Sequence, residues 1–257
     1  MNVALVGYGK MGHMIEVEAV KRGVGIASTI DLYAQDASCR IKSSDDLAGA
    51  VIASKADAVI EFTHPDAVLK NIEVLVTTGV PVIVGTTGWL KHLDYVNTLV
   101  KKNNSCLFYA ANYSIGVNLF YKIVKEAGIL FSQYDEYDTA IWEAHHTQKA
   151  DSPSGTALDI AKHLMSVYPK KTEIVQDAFH EAPKAHELHV SSTRFGSEPG
   201  THTVFFDSKA DTIELTHRAR SREGFAVGAV RAAQWMVEQL TAKNISKGNL
   251  YTMENML

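Results

Sequence analysis

Val3-Ala4-Leu5-Val6-Gly7-Tyr8-Gly9-Lys10-Met11-Gly12 decides how the first half of the chain folds. A short apolar run feeds directly into three glycines spaced GxGxxG, and the next apolar run, Gly25 to Ile30, closes at Asp31, 19 residues beyond Gly12. Gly7 permits a tight turn, Gly9 lets the backbone approach a pyrophosphate, and Gly12 lets helix and strand pack closely. The helix that follows offers free N–H groups and the positive end of its dipole. Asp31 is then placed to accept hydrogen bonds from a ribose diol. A strand-to-helix turn with no ligand can also use glycine, but strand, helix and acid in this order point to a dinucleotide.

Outward from this stretch, Ala58 to Phe62, Val80 to Val84 and Ser105 to Tyr109 read as further buried strands. Met11 to Lys21, Asp45 to Ser54, Pro65 to Thr77 and Leu90 to Lys102 carry apolar residues at helical spacing. Repeated βα units with near-continuous apolar strands predict a parallel sheet covered on both faces. Two loops at carboxyl ends of these strands, Gly85-Thr86-Thr87-Gly88 and Ala110-Ala111-Asn112-Tyr113-Ser114, lie at the edge where such sheets bind ligands. Ordinary turn chemistry is the alternative reading of either loop alone. After Asn112 the rhythm changes to a helix near 117–131, a strand at Asp138 to Ala144, a helix from about Ser154, and half-covered strands at 188–195, 201–207 and 212–218.

The expected fold class is therefore α/β, a Rossmann-type parallel sheet domain with a second, smaller α+β domain. The expected division is 1–115 with 219–257 for the dinucleotide, and 116–218 for substrate and oligomerisation. Gly224 to Leu240 is too apolar to be solvated and should pack back on the first domain, so the chain crosses twice and the paired crossings form a hinge.

Composition excludes several function classes. Twenty-five Lys and Arg against 29 Asp and Glu in 257 residues give a formal charge of −4, without the basic field that nucleic acid requires. The two cysteines, Cys39 and Cys106, form no CxxC and suit a reducing cytoplasm. No stretch of about 18 apolar residues suggests a membrane span. His180-Glu181 with His186 and His189 lacks HExxH spacing, and Pro183 interrupts it, so no metal is expected. Ser154 lacks the GxSxG elbow of a hydrolase nucleophile.

The stretch Glu143-Ala144-His145-His146-Thr147-Gln148-Lys149-Ala150-Asp151-Ser152-Pro153-Ser154-Gly155-Thr156-Ala157 carries the chemistry. Two imidazoles and an ammonium supply charge and transferable protons, and Ser154-Gly155-Thr156 opens a helix whose N–H groups suit an anion. The combination suits a carboxylated substrate that is protonated during reaction. Adjacent residues of a strand point to opposite faces, so His145 and His146 share a site only if the chain turns between them.

From Val3 to about Trp235 the chain resembles the 4-hydroxy-tetrahydrodipicolinate reductase (dihydrodipicolinate reductase) family of lysine and diaminopimelate synthesis. The resemblance rests on GYGKMG, DAVIEFTHP, VIVGTTG, AANYSIGVN, EAHHTQKADSPSGTA, STRFGSEPGTHTVFF and THRARSREGFAVGAVRAA. It implies His145 and Lys149 as catalytic proton-transfer residues, and His146, Ser154, Gly155, Thr156 and Thr87 as substrate contacts. It implies cofactor contacts at Gly7, Tyr8, Gly9, Lys10, Met11, Gly12, Asp31, Phe62, Thr63, Gly85, Thr86, Thr87, Ala110, Ala111, Asn112 and Tyr113. It also implies a small dicarboxylate substrate and a homotetramer built through the second domain. Leu32 stands where relatives that hold a 2′-phosphate often carry Arg, His64 replaces an Arg of some relatives, and the glycine loop is one residue shorter than GxxGxMG. Asp31 favours NADH and Lys10 tolerates a phosphate, so both NADH and NADPH are expected, with NADH weakly preferred. A reductase of aspartate-dehydrogenase type and a non-catalytic NAD(H) sensor are the alternatives; neither explains the His-Lys motif.

Overall fold

The computed structural model describes residues 1–257. The chain divides into two compact units, Met1–Ile115 with Glu223–Leu257, and Gly116–Arg222. The boundaries fall between Ile115 and Gly116 and between Arg222 and Glu223.

The first unit begins with β1 (Asn2–Val6), α1 (Lys10–Lys21), β2 (Gly25–Asp31), β3 (Cys39–Arg40), α2 (Leu47–Ser54), β4 (Ala58–Glu61), α3 (Pro65–Leu75), β5 (Val82–Val84), α4 (Leu93–Lys102) and β6 (Cys106–Tyr109). The second unit carries α5 (Ile115–Phe131), β7 (Asp138–His145), α6 (Gly155–Met165), β8 (Glu173–Val175), β9 (Glu187–Arg194), β10 (Thr201–Asp207) and β11 (Thr212–Arg218). The chain then returns through α7 (Glu223–Thr241), β12 (Asn249–Tyr251) and α8 (Met253–Met256).

Seven strands make the first sheet in the order β12-β6-β5-β4-β1-β2-β3, every neighbouring pair parallel. The period-2 alternation of strand side chains splits its core in two. Val3, Leu5, Ile60 and Phe108 face Ile15 and Ala19 of α1 and Ala229, Val230, Ala233 and Met236 of α7. Ala4, Val6, Val59 and Leu107 face Leu47 and Val51 of α2, Val68 and Ile72 of α3, and Val96 and Val100 of α4. Each fully buried aliphatic side chain contributes about 1.5–3 kcal/mol, which is why the strands read as continuous apolar runs.

Three differences from the sequence reading have local causes. Pro81 has no N–H to donate, so β5 starts at Val82, although the Pro81 carbonyl still accepts from Val59 N at 2.9 Å. The expected helix at Asp45 opens as a 3-10 turn, Ser44–Asp46, closed by a capping box between Ser43 and Asp46. The polar tail supplies β12 as an edge strand, pairing Asn249, Leu250 and Tyr251 with Cys106, Leu107 and Phe108.

The second sheet has the order β11-β10-β7-β9-β8; β7 and β8 run parallel to β9, and β10 is antiparallel to both β7 and β11. Ile141, Leu188, Val190, Val204 and Phe206 pack against Phe120 and Val124 of α5 and Ile160 and Leu164 of α6. Along that same face, alternation carries each strand beyond the core to a polar residue. Ile141 is followed by Glu143 and His145, Val190 by Ser192 and Arg194, and Val204 is preceded by His202 and Gly200. The apolar core thus gives way, at one end of one face, to a carboxylate, a guanidinium and imidazoles.

Candidate active site

In the first unit, the loops expected to hold a dinucleotide converge at the carboxyl ends of adjacent strands. Gly7 has φ +92, and a Cβ there would lie 2.1 Å from the Phe62 carbonyl oxygen, so the turn after β1 closes onto the end of β4 only with glycine. A Cβ on Gly12 would lie 2.4 Å from the Gly7 carbonyl oxygen. Gly9, by contrast, faces open space and caps α1 without a side-chain acceptor, leaving the first-turn N–H groups for a ligand. The Phe62 ring lies over Gly85, where a Cβ would meet it at 1.9 Å, and stacks obliquely on Tyr113 at 5.7 Å. Thr63 N donates to Thr86 Oγ1 at 2.7 Å, and Tyr113 Oη donates to the Val84 carbonyl at 2.8 Å.

Asp31 is already employed by the protein. Its Oδ2 accepts from Tyr8 N at 2.7 Å and its Oδ1 from Tyr33 N and Ala34 N at 2.7 and 2.9 Å. Partial burial acts to raise its pKa, but these backbone bonds prevail and hold the carboxyl below its ordinary value. The charge is therefore fixed, and it borders a cavity of about 470 Å³ with Gly7, Gly9, Leu32, Phe62, Thr63 and His64. Lys10, Thr87 and Ala111 are exposed on the neighbouring loops, Met11 packs inward against the core, and Ala110 and Asn112 are half-buried. Glycine cradle, bare helix start and fixed acid fit a dinucleotide. His64 caps α3 and borders the same cavity.

In the second unit, β7 ends at His145 and the chain turns at once, Phe195 N donating to the His145 carbonyl at 3.0 Å and Thr147 N to that of Gly196 at 3.3 Å. His145 is buried at 8 % exposure, and its Nδ1 lies 2.5 Å from Glu143 Oε2. Glu143 is fully buried and accepts two guanidinium bonds, from Arg194 Nη2 at 2.8 Å and Nη1 at 3.1 Å, plus Ser154 N at 3.1 Å. Burial alone would raise this carboxyl; the bonds from His145 and Arg194 outweigh it and bring it to about 2. Ser154 Oγ accepts from Ala157 N at 3.2 Å, capping α6, and lies 3.1 Å from His202 Nε2. Burial, with the neighbouring His145, pushes His202 down to about 3, so this ring is neutral.

The remaining motif residues surround this network. Lys149 Nζ pairs with Asp151 at 2.8 Å, and the Asp151 carbonyl accepts from Arg194 Nη2 at 2.5 Å. Gly155 has open space where a side chain would stand, and Thr156 is half-buried in the first turn of α6. His146 is half-buried with Nδ1 enclosed and unbonded; no contact joins its ring to His145. Sequence reading missed Glu143, Arg194, Gly200 and His202 as members of the site. The register that pairs His145 with Arg194, and Glu143 with His202, is the signal that unites them. The histidines near 180 go elsewhere: His189 packs on Phe179, and His186 stands beside Glu173 and Glu187 at the surface.

Residues 1–113 match the family description "Dihydrodipicolinate reductase, N-terminus" and residues 116–257 "Dihydrodipicolinate reductase, C-terminus". A 4-hydroxy-tetrahydrodipicolinate reductase of Christiangramia forsetii is 35% identical over 258 residues, covering 100% of this chain and 98% of its own. One of Archaeoglobus fulgidus is 36% identical over 271 residues, covering both chains completely (100% of each). Among solved structures, a dipicolinate-bound dihydrodipicolinate reductase from Paenisporosarcina sp. TG-14 superposes with a TM-score of 0.73 at 24% identity, over 100% of this chain and 99% of that one. A probable dehydrogenase from Thermotoga maritima shares the fold more distantly, with a TM-score of 0.57 at 11% identity over 95% and 89%. With matches to both halves of the chain and relatives aligned along its whole length, the chain belongs to the dihydrodipicolinate reductase family, NAD(P)H-dependent oxidoreductases of lysine and diaminopimelate biosynthesis.

Proposed function

We propose that this chain reduces 4-hydroxy-tetrahydrodipicolinate to tetrahydrodipicolinate, with loss of water, holding the nicotinamide cofactor in the first unit and the dicarboxylate in the second. The observation that carries this reading is the His145 site, where an imidazole backed by a buried carboxylate stands beside a capped helix start and a lysine. Bound NAD(P)H supplies the hydride. The Ser154 cap holds the start of α6, whose first-turn N–H groups bind one substrate carboxylate, with His146 completing its contacts in this unit. Lys149 exchanges Asp151 for the substrate. Electron density builds on the imine-enamine system during reduction, and proton donation from His145 Nε2 and Lys149 Nζ stabilises it.

The glycine loop from Gly7 to Gly12, Asp31 and the loops that follow β4, β5 and β6 hold the cofactor. The fixed Asp31 charge and the apolar Leu32 favour NADH, while Lys10 offsets a 2′-phosphate. Opposed single charges of about 1 kcal/mol each leave both cofactors in use, with NADH preferred by about tenfold to a hundredfold at most. The exposed edge strand β11 and the sheet face away from α5 and α6 support assembly through the second unit as a homotetramer. Two unpaired cysteines suit the reducing cytoplasm. No helix is long and apolar enough to cross a membrane.

The test is substrate-dependent oxidation of NADH and NADPH followed at about 340 nm, the absorbance of the reduced nicotinamide. His145→Gln and Lys149→Ala should each lower turnover roughly 100-fold. Near-normal turnover in both variants rejects the assignment, and cofactor binding without any turnover would favour a sensor.

A further inference from the structure

Glu143 makes four contacts with groups that matter to the reaction, yet it cannot itself reach a ligand. It is fully buried, with Oε2 on His145 Nδ1 and Arg194 Nη1, and Oε1 on Ser154 N and Arg194 Nη2. An ionised carboxylate only accepts hydrogen bonds, so the His145 nitrogen facing it must carry the proton. The opposite nitrogen, Nε2, has no hydrogen-bond partner in the chain and lies against Gly200, where even a Cβ would stand 2.9 Å away. We propose that Glu143 is the positioning residue of this site: it locks His145 as the Nδ1–H tautomer, so that Nε2 is the atom that exchanges a proton with substrate.

The same carboxylate also ties the imidazole to the helix start that binds substrate. Ser154 N bonds Glu143 Oε1 while Ser154 Oγ caps α6, so one buried group sets the distance between proton donor and anion site. Arg194 is the counter-charge that keeps Glu143 ionised, and its bidentate fork fixes the carboxylate plane. Other charged or titratable groups face His145 as well. His202 stands edge-on from β10 at 5.2 Å, and Lys149 with its partner Asp151 comes from the following loop. Glu198 is turned to Gly200 N and Thr201 Oγ1. Glu143 is the one carboxylate bonded to the ring.

This proposal rests on the reading of His145 as the proton-transfer residue, and the experiment separates the two. Imidazole nitrogen NMR of histidine-labelled full-length protein, with His145 assigned by its loss in H145Q, should show a single Nδ1–H tautomer at alkaline pH. Glu143→Gln should give mixed tautomers, and this readout needs no activity. In the reductase assay, E143Q should lower kcat about 10- to 100-fold with the KM for NADH unchanged. The pH dependence of its kcat should differ from that of the parent, because the group facing the ring has lost its charge. Glu143→Asp, which keeps the charge, should recover part of the loss. An Nε2–H tautomer in the parent protein, or an E143Q variant with parental tautomer and pH profile, overturns the proposal. A fully active H145Q variant overturns the functional reading instead, whatever tautomer Glu143 enforces.

Discussion

His202 makes a quantitative prediction for acid stability. It is 4 % exposed, its Nε2 is bonded to Ser154 Oγ and its Nδ1 is enclosed without a partner, so protonation in the folded state requires a buried, uncompensated charge. Its pKa is lowered from 6.5 to about 3. The folded chain therefore declines a proton that the unfolded chain accepts below pH 6.5, and stability falls as pH drops through that window. At pH 5 the unfolded ring lies about 1.5 pH units below its midpoint, and at about 1.4 kcal/mol per unit the loss relative to pH 7 is about 2 kcal/mol. Glu143, lowered from 4.5 to about 2, has the same sign but acts only below pH 4.5, so it leaves the interval from pH 7 to 5 untouched. His217 is lowered by burial and adds in the same direction; His13, raised by bonds to the Gly9 carbonyl and Asp36, acts in the opposite one. Comparing urea unfolding of the parent and His202→Asn at pH 7, 6 and 5 cancels these shared terms. The variant should lose about 2 kcal/mol less over the interval. Identical pH slopes for the two proteins would refute the burial argument.

Three further outcomes are expected. Gly228→Ala would place a Cβ 1.7 Å from the Tyr113 carbonyl oxygen, so α7 must shift from the loop after β6. It should cost about 1–3 kcal/mol and lower Tm by several degrees, and an unchanged Tm contradicts the packing. Arg194→Met strands the Glu143 charge and should destabilise by about 3 kcal/mol, whereas Arg194→Met with Glu143→Leu should recover part of that in denaturant titrations; strictly additive losses would dismiss the pair. Lys10→Ala should raise the KM for NADPH and spare that for NADH, with NADPH use in the parent declining at high salt. An NADPH preference that survives this change points to Arg40, which pairs in register with Asp31.

The dinucleotide half was legible because its signals are local. Three glycines, a β-branched strand and an acid lie within 31 residues, and each acts on backbone within a few positions of itself. The motif from Glu143 to Ala157 was legible for the same reason, since a loop and a helix cap are written consecutively. Edges of the sheets were harder to read. Asn249–Tyr251 carries little apolar periodicity and becomes a strand because β6 offers it an unpaired edge. Within the second unit, Glu143 stands in the sequence two residues before a histidine pair, with nothing to mark it as buried.

By itself, then, the sequence determined what depends on neighbours along the chain: the glycine turn, the order of strands and helices, the acid at Asp31, and the imidazoles and lysine grouped before a helix start. Tertiary structure alone decided which of those side chains share a face and a partner. Arg194 lies 51 residues from Glu143 and His202 lies 48 from Ser154, and only the pairing of β7 with β9 and β10 brings them within hydrogen-bond reach. The physical reason is the two-residue period of a strand. Register, a property of pairs of strands, determines whether a given histidine meets a carboxylate on the covered face or points away on the other.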